Sequence, residues 1–218
     1  MVRALKSARK GPAKASRAVI FLHGYGADGA DLLGLADVLA PHLPGTAFHA
    51  PDAPERCANN PIGYQWFPIP WLDGSSEETA RASMHRSIDD LDAFLDRLLA
   101  DEGLTPEQIA VIGFSQGTMM ALHVLPRRTG QLACIIGFSG RLVEAERLAA
   151  EAKSKPPVLL LHGDQDPMVP FADMGRAADT LVDAGFEVFT HVMKGTGHGI
   201  SPDGLGAALQ FLKTHLKP

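Results

Sequence analysis

Six short apolar runs separated by helical patterns constrain this chain more than any other feature. They are Ala18–Leu22, Thr46–Ala50, Ile109–Phe114, Leu132–Phe138, Val158–His162 and Phe186–Met193. Each has the length of a strand and is too short for a typical helix. The runs are continuous rather than alternating, which suits strands covered on both faces, as in a parallel sheet. Between them, apolar residues recur at helical spacing: Leu32, Leu35, Ala36 and Leu39; Met84, Ile88, Leu91, Leu95 and Leu98; Phe171, Met174, Ala178 and Leu181; and Leu205, Leu209, Leu212 and Leu216. Strand–helix alternation predicts a three-layer α/β domain around a mostly parallel sheet. A chain of 218 residues fits one such domain. We expect it to span residues 17–218.

Residues 1–16 carry Arg3, Lys6, Arg9, Lys10 and Lys14 and no acid. The expectation is a solvated, flexible basic arm. The sharper alternative is contact with an anionic surface. The formal net charge is −5, so the chain has no global basic field for nucleic acid. No apolar run approaches the length of a membrane span, and the N-terminus lacks the apolar core of a secretory signal. Two cysteines make no disulfide framework. Cys134 lies in an apolar run and is expected to be buried, whereas Cys57 falls in a Pro-rich loop where exposure is expected. This usage fits a reducing cytoplasm.

In an open parallel sheet the chemistry sits at the carboxyl ends of the strands, so the residues that follow each apolar run are informative. Gly113-Phe114-Ser115-Gln116-Gly117 follows the third run and precedes a helical stretch, Thr118–Leu125. That is the strand–turn–helix context of a G-x-S-x-G nucleophile elbow. A serine hydroxyl is a weak nucleophile and needs a base. His123 falls in the helix after the elbow, His191 inside a strand pattern and His215 in the last helix. His198 instead stands in Gly195-Thr196-Gly197-His198-Gly199, a flexible loop just after the last strand. It is the candidate base. Its acid should follow the fifth run, where Asp164 and Asp166 both qualify by position. Asp166, restrained by Pro167, is mildly favoured, while Asp164 suits a turn-type hydrogen bond. Two backbone N–H groups would form an oxyanion hole: that of Gln116, at the start of its helix, and that of Tyr25, in the loop Leu22-His23-Gly24-Tyr25-Gly26. His23 is read as an anchor of that loop by hydrogen bonds rather than as a metal ligand.

These four motifs, with His162-Gly163-Asp164-Gln165-Asp166-Pro167-Met168-Val169-Pro170 as the third, resemble the phospholipase/carboxylesterase family. That family includes the acyl-protein thioesterases and small bacterial carboxylesterases. The resemblance covers nearly the whole chain. It implies an α/β-hydrolase fold with no large cap domain. It also implies Asp166 as the acid, and oxyanion donors at Tyr25 and Gln116. Two departures stand out. Thr118-Met119-Met120 follows the elbow where small residues are frequent. Gly63-Tyr64-Gln65-Trp66-Phe67-Pro68-Ile69-Pro70-Trp71 stands where many members have a Trp-Tyr/Phe-Asp element.

The stretch Pro51–Ser76 is the longest irregular one and holds both tryptophans. Its aromatic cluster has two readings: core, or an apolar acyl site beside Ser115. Tyr64, Trp66, Phe67 and Trp71 are the candidates for substrate contact, together with Met168 and Val169 beside Asp166. Exposed apolar residues near this loop equally suit a homodimer contact. Residues and resemblance together predict a serine carboxylic ester hydrolase acting on short-to-medium acyl esters through an acyl-enzyme, with no metal or organic cofactor. The alternatives are a thioesterase or lysophospholipase on the same triad, and a non-catalytic binding module.

Overall fold

The computed structural model describes residues 2–217. Its central sheet has seven strands in the order β1-β3-β2-β6-β7-β8-β9. These are β1 (Ser7–Lys10), β2 (Arg17–Leu22), β3 (Thr46–Pro51), β6 (Ile109–Phe114), β7 (Cys134–Phe138), β8 (Val158–Gly163) and β9 (Val188–Met193). All neighbours run parallel except β1, which pairs antiparallel with β3. A two-stranded hairpin of β4 (Glu55–Arg56) and β5 (Tyr64–Gln65) stands apart from the sheet.

Cover on both faces explains the apolar runs of β2, β3, β6, β7 and β8, whereas β9, read from the sixth run as a covered strand, is an edge strand and largely exposed. Ala18, Ile20 and Leu22 of β2 point to one side, into a core cluster shared with α4 (Glu77–Glu102), α5 (Gln116–Val124) and α7 (Ala172–Asp183). Val19 and Phe21 point to the other, into a core cluster shared with α1 (Gly29–Leu33), α2 (Leu35–Leu39) and α8 (Pro202–His215). Phe21 stacks on Phe48 of β3 with ring centroids 6.0 Å apart. Two short helices, α3 (Pro70–Asp73) and α6 (Leu148–Glu151), lie in the connections. The result is a three-layer α/β-hydrolase architecture. The long helix α4 begins where Ser76 Oγ accepts the Thr79 N–H at 3.1 Å and ends at Gly103, whose φ is 65°.

The basic N-terminal stretch departs from expectation. Residues 7–10 are not a flexible arm but the edge strand β1. Its anionic partners lie within the chain. Arg9 pairs with Glu102, Lys10 with Asp37, and Arg3 with Asp90 and Glu55. Leu5 is buried in the core. Cys57 is likewise corrected, being buried like Cys134, because the hairpin folds its loop against Gly26. No helix of the described residues is long and apolar enough to cross a membrane.

Candidate active site

The elbow is built by close approach. A Cβ on Gly117 would lie 1.9 Å from the Leu22 carbonyl oxygen, and one on Gly113 would lie 2.5 Å from the Thr118 nitrogen. Only glycine lets β6, β2 and α5 meet so tightly. Between them Ser115 has φ 52° and ψ −115°, a strained conformation for a residue with a side chain. Its N–H donates to the Phe138 carbonyl at 2.8 Å, which fixes the turn against β7. The larger residue at 118 is accommodated there too. Thr118 Oγ1 donates to the same carbonyl at 2.8 Å, and the bare Cα of Gly140 leaves room for its side chain.

Asp166 follows β8 and its carboxylate is fully buried. Oδ2 accepts from His198 Nδ1 at 2.7 Å, while Oδ1 accepts the N–H groups of Met168 at 2.8 Å and Val169 at 3.0 Å. Burial acts to raise the Asp166 pKa, but the bonds from His198, Val169 and Met168 outweigh it and hold the carboxyl below the usual range. Asp164 takes the other role. It accepts the Gly195 N–H at 2.7 Å and so ties the acid's loop to the loop of His198. The Gln165 N–H donates to the Thr196 carbonyl at 3.1 Å across the same seam. With Nδ1 committed to Asp166, the His198 ring packs on Phe114, centroids 4.9 Å apart. His162 lies beneath, its Nε2 3.0 Å from the Val169 carbonyl and 3.3 Å from Asp166 Oδ2.

Ser115, Gln116, Tyr25 and His198 all line one cavity of about 480 Å³. Gln116 opens α5, so its N–H has no acceptor within the helix. In the loop after β2, the N–H groups of Gly26 and Ala27 donate to Tyr64 and Gly24 carbonyls, whereas that of Tyr25 has no partner among the described residues. His23 anchors the loop, with Nδ1 2.7 Å from the Gly24 carbonyl and Nε2 2.9 Å from the Ala53 nitrogen. Since Nε2 accepts there, the ring is neutral, consistent with a pKa that burial lowers against the opposing pull of the Gly24 carbonyl and nearby acids.

Of the candidate substrate contacts, Phe67, Trp71, Met168 and Val169 line this cavity. Trp66 and Tyr64 do not. Trp66 is a core residue with no exposed surface, and its Nε1 donates to the His23 carbonyl at 3.0 Å. Tyr64 bridges to Ala27 and lies under the Arg56 guanidinium, 4.3 Å from the ring centroid. Two polar side chains here have roles that the sequence did not announce. The Gln116 side chain accepts the Trp66 N–H at 2.8 Å and donates to the Phe67 carbonyl at 2.7 Å. Asp73 accepts from the Tyr25 hydroxyl at 3.2 Å and from the Ile69 N–H at 2.7 Å. The spacing Trp71-Leu72-Asp73 was the one signal for the latter. Among the described residues no group of three His, Cys, Asp or Glu side chains is arranged to hold a metal ion.

A family model described as phospholipase/carboxylesterase matches residues 6–216. The chain belongs to this family. Similar to this phospholipase/carboxylesterase family member is acyl-protein thioesterase 1 of Gibberella zeae, 29% identical over 92% of this chain and 91% of that protein. The esterase YpfH of Escherichia coli is 26% identical over 93% and 83%. Among solved structures, esterase PE8 is 42% identical, covers 98% of this chain and 100% of its own, and superposes with a TM-score of 0.93.

Proposed function

We propose that this esterase-family hydrolase is a serine carboxylesterase, with Ser115 as nucleophile, His198 as general base and Asp166 as the acid that orients it. The observation that carries the reading is the 2.7 Å bond from His198 Nδ1 to a fully buried Asp166, on the same cavity as the strained Ser115. With that bond fixing the tautomer, His198 Nε2 takes the proton as Ser115 Oγ attacks the acyl carbon. The oxyanion of the tetrahedral intermediate receives the Tyr25 and Gln116 N–H groups. His198 then protonates the departing alcohol and activates water to release the acid from Ser115.

Phe67, Trp71, Met168 and Val169 supply an apolar wall for a short-to-medium acyl chain. The chemistry up to the acyl-enzyme is shared with thioesters. The likeness to acyl-protein thioesterase 1 supports testing that leaving group second. Two buried, unpaired thiols are in keeping with a cytoplasmic setting. Ser115→Ala should abolish hydrolysis of a p-nitrophenyl ester and labelling by a fluorophosphonate while leaving the melting temperature near that of the wild type. Substantial turnover by a folded Ser115→Ala protein would remove the assignment. A panel of acyl esters and thioesters of graded length then separates the two leaving groups.

A further inference from the structure

Asp90 lies in the middle of α4 with its side chain 1% exposed. A buried carboxylate is costly unless it is paired and hydrogen-bonded. Its partners all come from one residue at the far N-terminus. The Arg3 N–H donates to Oδ1 at 2.6 Å, and Arg3 Nε and a terminal guanidinium nitrogen both reach Oδ2 at 2.7 Å. The same guanidinium extends to Glu55 Oε1 at 3.2 Å and to Ser87 Oγ at 3.5 Å.

Those two residues lead to the wall of the active-site cavity. Ser87 Oγ donates to the Trp66 carbonyl. Glu55 accepts from Ser83 of α4 at 2.6 Å, from Arg86 at 3.4 Å and from the Gln65 amide at 3.5 Å. The next links are the bonds from the Trp66 N–H to Gln116 Oε1 and from Gln116 Nε2 to the Phe67 carbonyl. A continuous series of polar contacts therefore runs from Arg3 to the residue after the nucleophile. Arg3 joins the segment before β1 to Asp90 of α4 and to Glu55 of the β4–β5 hairpin. A guanidinium spreads five donors over a rigid planar fork, whereas an ammonium offers three rotatable donors from a single nitrogen.

We propose that Arg3 is a positioning residue for the active site: locked on Asp90, it fixes Glu55 and Ser87, and through them the Gln65–Phe67 segment that braces Gln116 and walls the cavity. The inference rests on the hydrolytic reading of the Ser115 site. A stabilising ion pair with no such role would act on stability alone.

The test separates these. Arg3→Met leaves Asp90 buried without a countercharge and should lower the melting temperature. Arg3→Met/Asp90→Asn removes both charges and keeps an acceptor for the Arg3 N–H, so it should recover most of that loss. The double variant should still show kcat for a p-nitrophenyl ester reduced about tenfold, less than the ~10²-fold that a 1 Å misplacement at a reacting centre can cost. Fluorophosphonate labelling of Ser115 should slow in proportion. In a Trp71→Phe background, where Trp66 is the remaining tryptophan, its emission should shift to the red. Arg3→Lys, which keeps the charge, should fold and still show the reduced kcat; it serves if the double variant does not fold. Wild-type kcat, KM and Trp66 emission in a folded double variant, or in Arg3→Lys, would overturn the proposal. Should Ser115→Ala retain hydrolysis, the catalytic reading fails instead, and the Trp66 emission alone decides whether Arg3 holds the segment.

Discussion

Replacing Asp166 by asparagine tests the assignment of the acid at the level of single hydrogen bonds. The two oxygens of Asp166 face different donors: Oδ1 takes the Met168 and Val169 N–H groups, and Oδ2 takes His198 Nδ1. An asparagine must present its NH₂ to one side or the other. Turned toward Met168 and Val169, it sets donors against two donors and forfeits two bonds. Turned toward His198, it keeps both and donates to Nδ1. The second orientation wins, and it forces the imidazole proton onto Nε2, where the ring can no longer accept the proton of Ser115. The triad precedent for this tautomer trap is a loss of about 10⁴ in kcat, and we expect a fall of roughly 10³–10⁴ here, ~4–5.5 kcal/mol of transition-state stabilisation. Asp164→Asn is the internal control. Its remaining oxygen can still accept the Gly195 N–H, so the loss should stay within about threefold on the same scale. The assay is kcat/KM for a p-nitrophenyl ester on both variants, with thermal melts to establish that each is folded. A larger loss in Asp164→Asn than in Asp166→Asn would refute the reasoning and move the acid.

Gly117→Ala brings a Cβ to within 1.9 Å of the Leu22 carbonyl oxygen. The elbow must shift away from the oxyanion loop, at a cost of about 1–3 kcal/mol; urea unfolding should show the destabilisation and the esterase assay a loss of activity, and wild-type values in both would contradict the packing argument. Trp66→Ala should cost about 3–5 kcal/mol, as expected for a buried aromatic. Trp71→Ala, on a side chain 69% exposed at the cavity, should barely change the melt but raise KM for longer acyl esters. Equal melting temperatures for the two tryptophan variants would be inconsistent with the structure. Stability should also fall on mild acidification. Burial lowers the pKa values of His23, His49 and His123 below the ordinary histidine range. As pH drops through about 6.5, the unfolded chain binds protons that the folded chain refuses, so stability declines toward the folded pKa values. Thermal melts at pH 7.5 and 5.5 check this, and a melting temperature that rises at pH 5.5 would count against it.

The interior strands were legible because burial on both faces writes itself into the sequence. Ile109–Phe114 is an unbroken apolar run and is β6 to the residue. The edge strand β1 was not legible. Ser7-Ala8-Arg9-Lys10 is half exposed and polar, carries no alternation, and is held by backbone pairing and by acids as far away as Glu102. The same limit applies to the aromatic loop. Its composition announced an apolar wall, but which rings face the cavity depends on the hairpin's register. That register is set by the bridge of Tyr64 to Ala27 and by the bond of Trp66 Nε1 to the His23 carbonyl. At Gln116 only the backbone role could be read from the motif, since the two acceptor–donor bonds of its side chain require the loop to be already in place.

The hairpin loop therefore does more than line a pocket. It bonds to the oxyanion loop through Tyr64 and Trp66, and to the elbow through the Gln116 side chain. Asp73 adds a third tie, from α3 to the Tyr25 hydroxyl. The segment proposed to choose the acyl chain thus also holds both proposed oxyanion donors. In such a site specificity and turnover are not independent. A change in the wall that moves the Gln65–Phe67 backbone displaces Gln116 with it, and should lower kcat as well as raise KM. A change confined to an exposed side chain such as Trp71 leaves those backbone bonds intact and should act on KM alone. The division between wall residues that alter both constants and those that alter one should follow the hydrogen-bonded backbone, not the distance to Ser115.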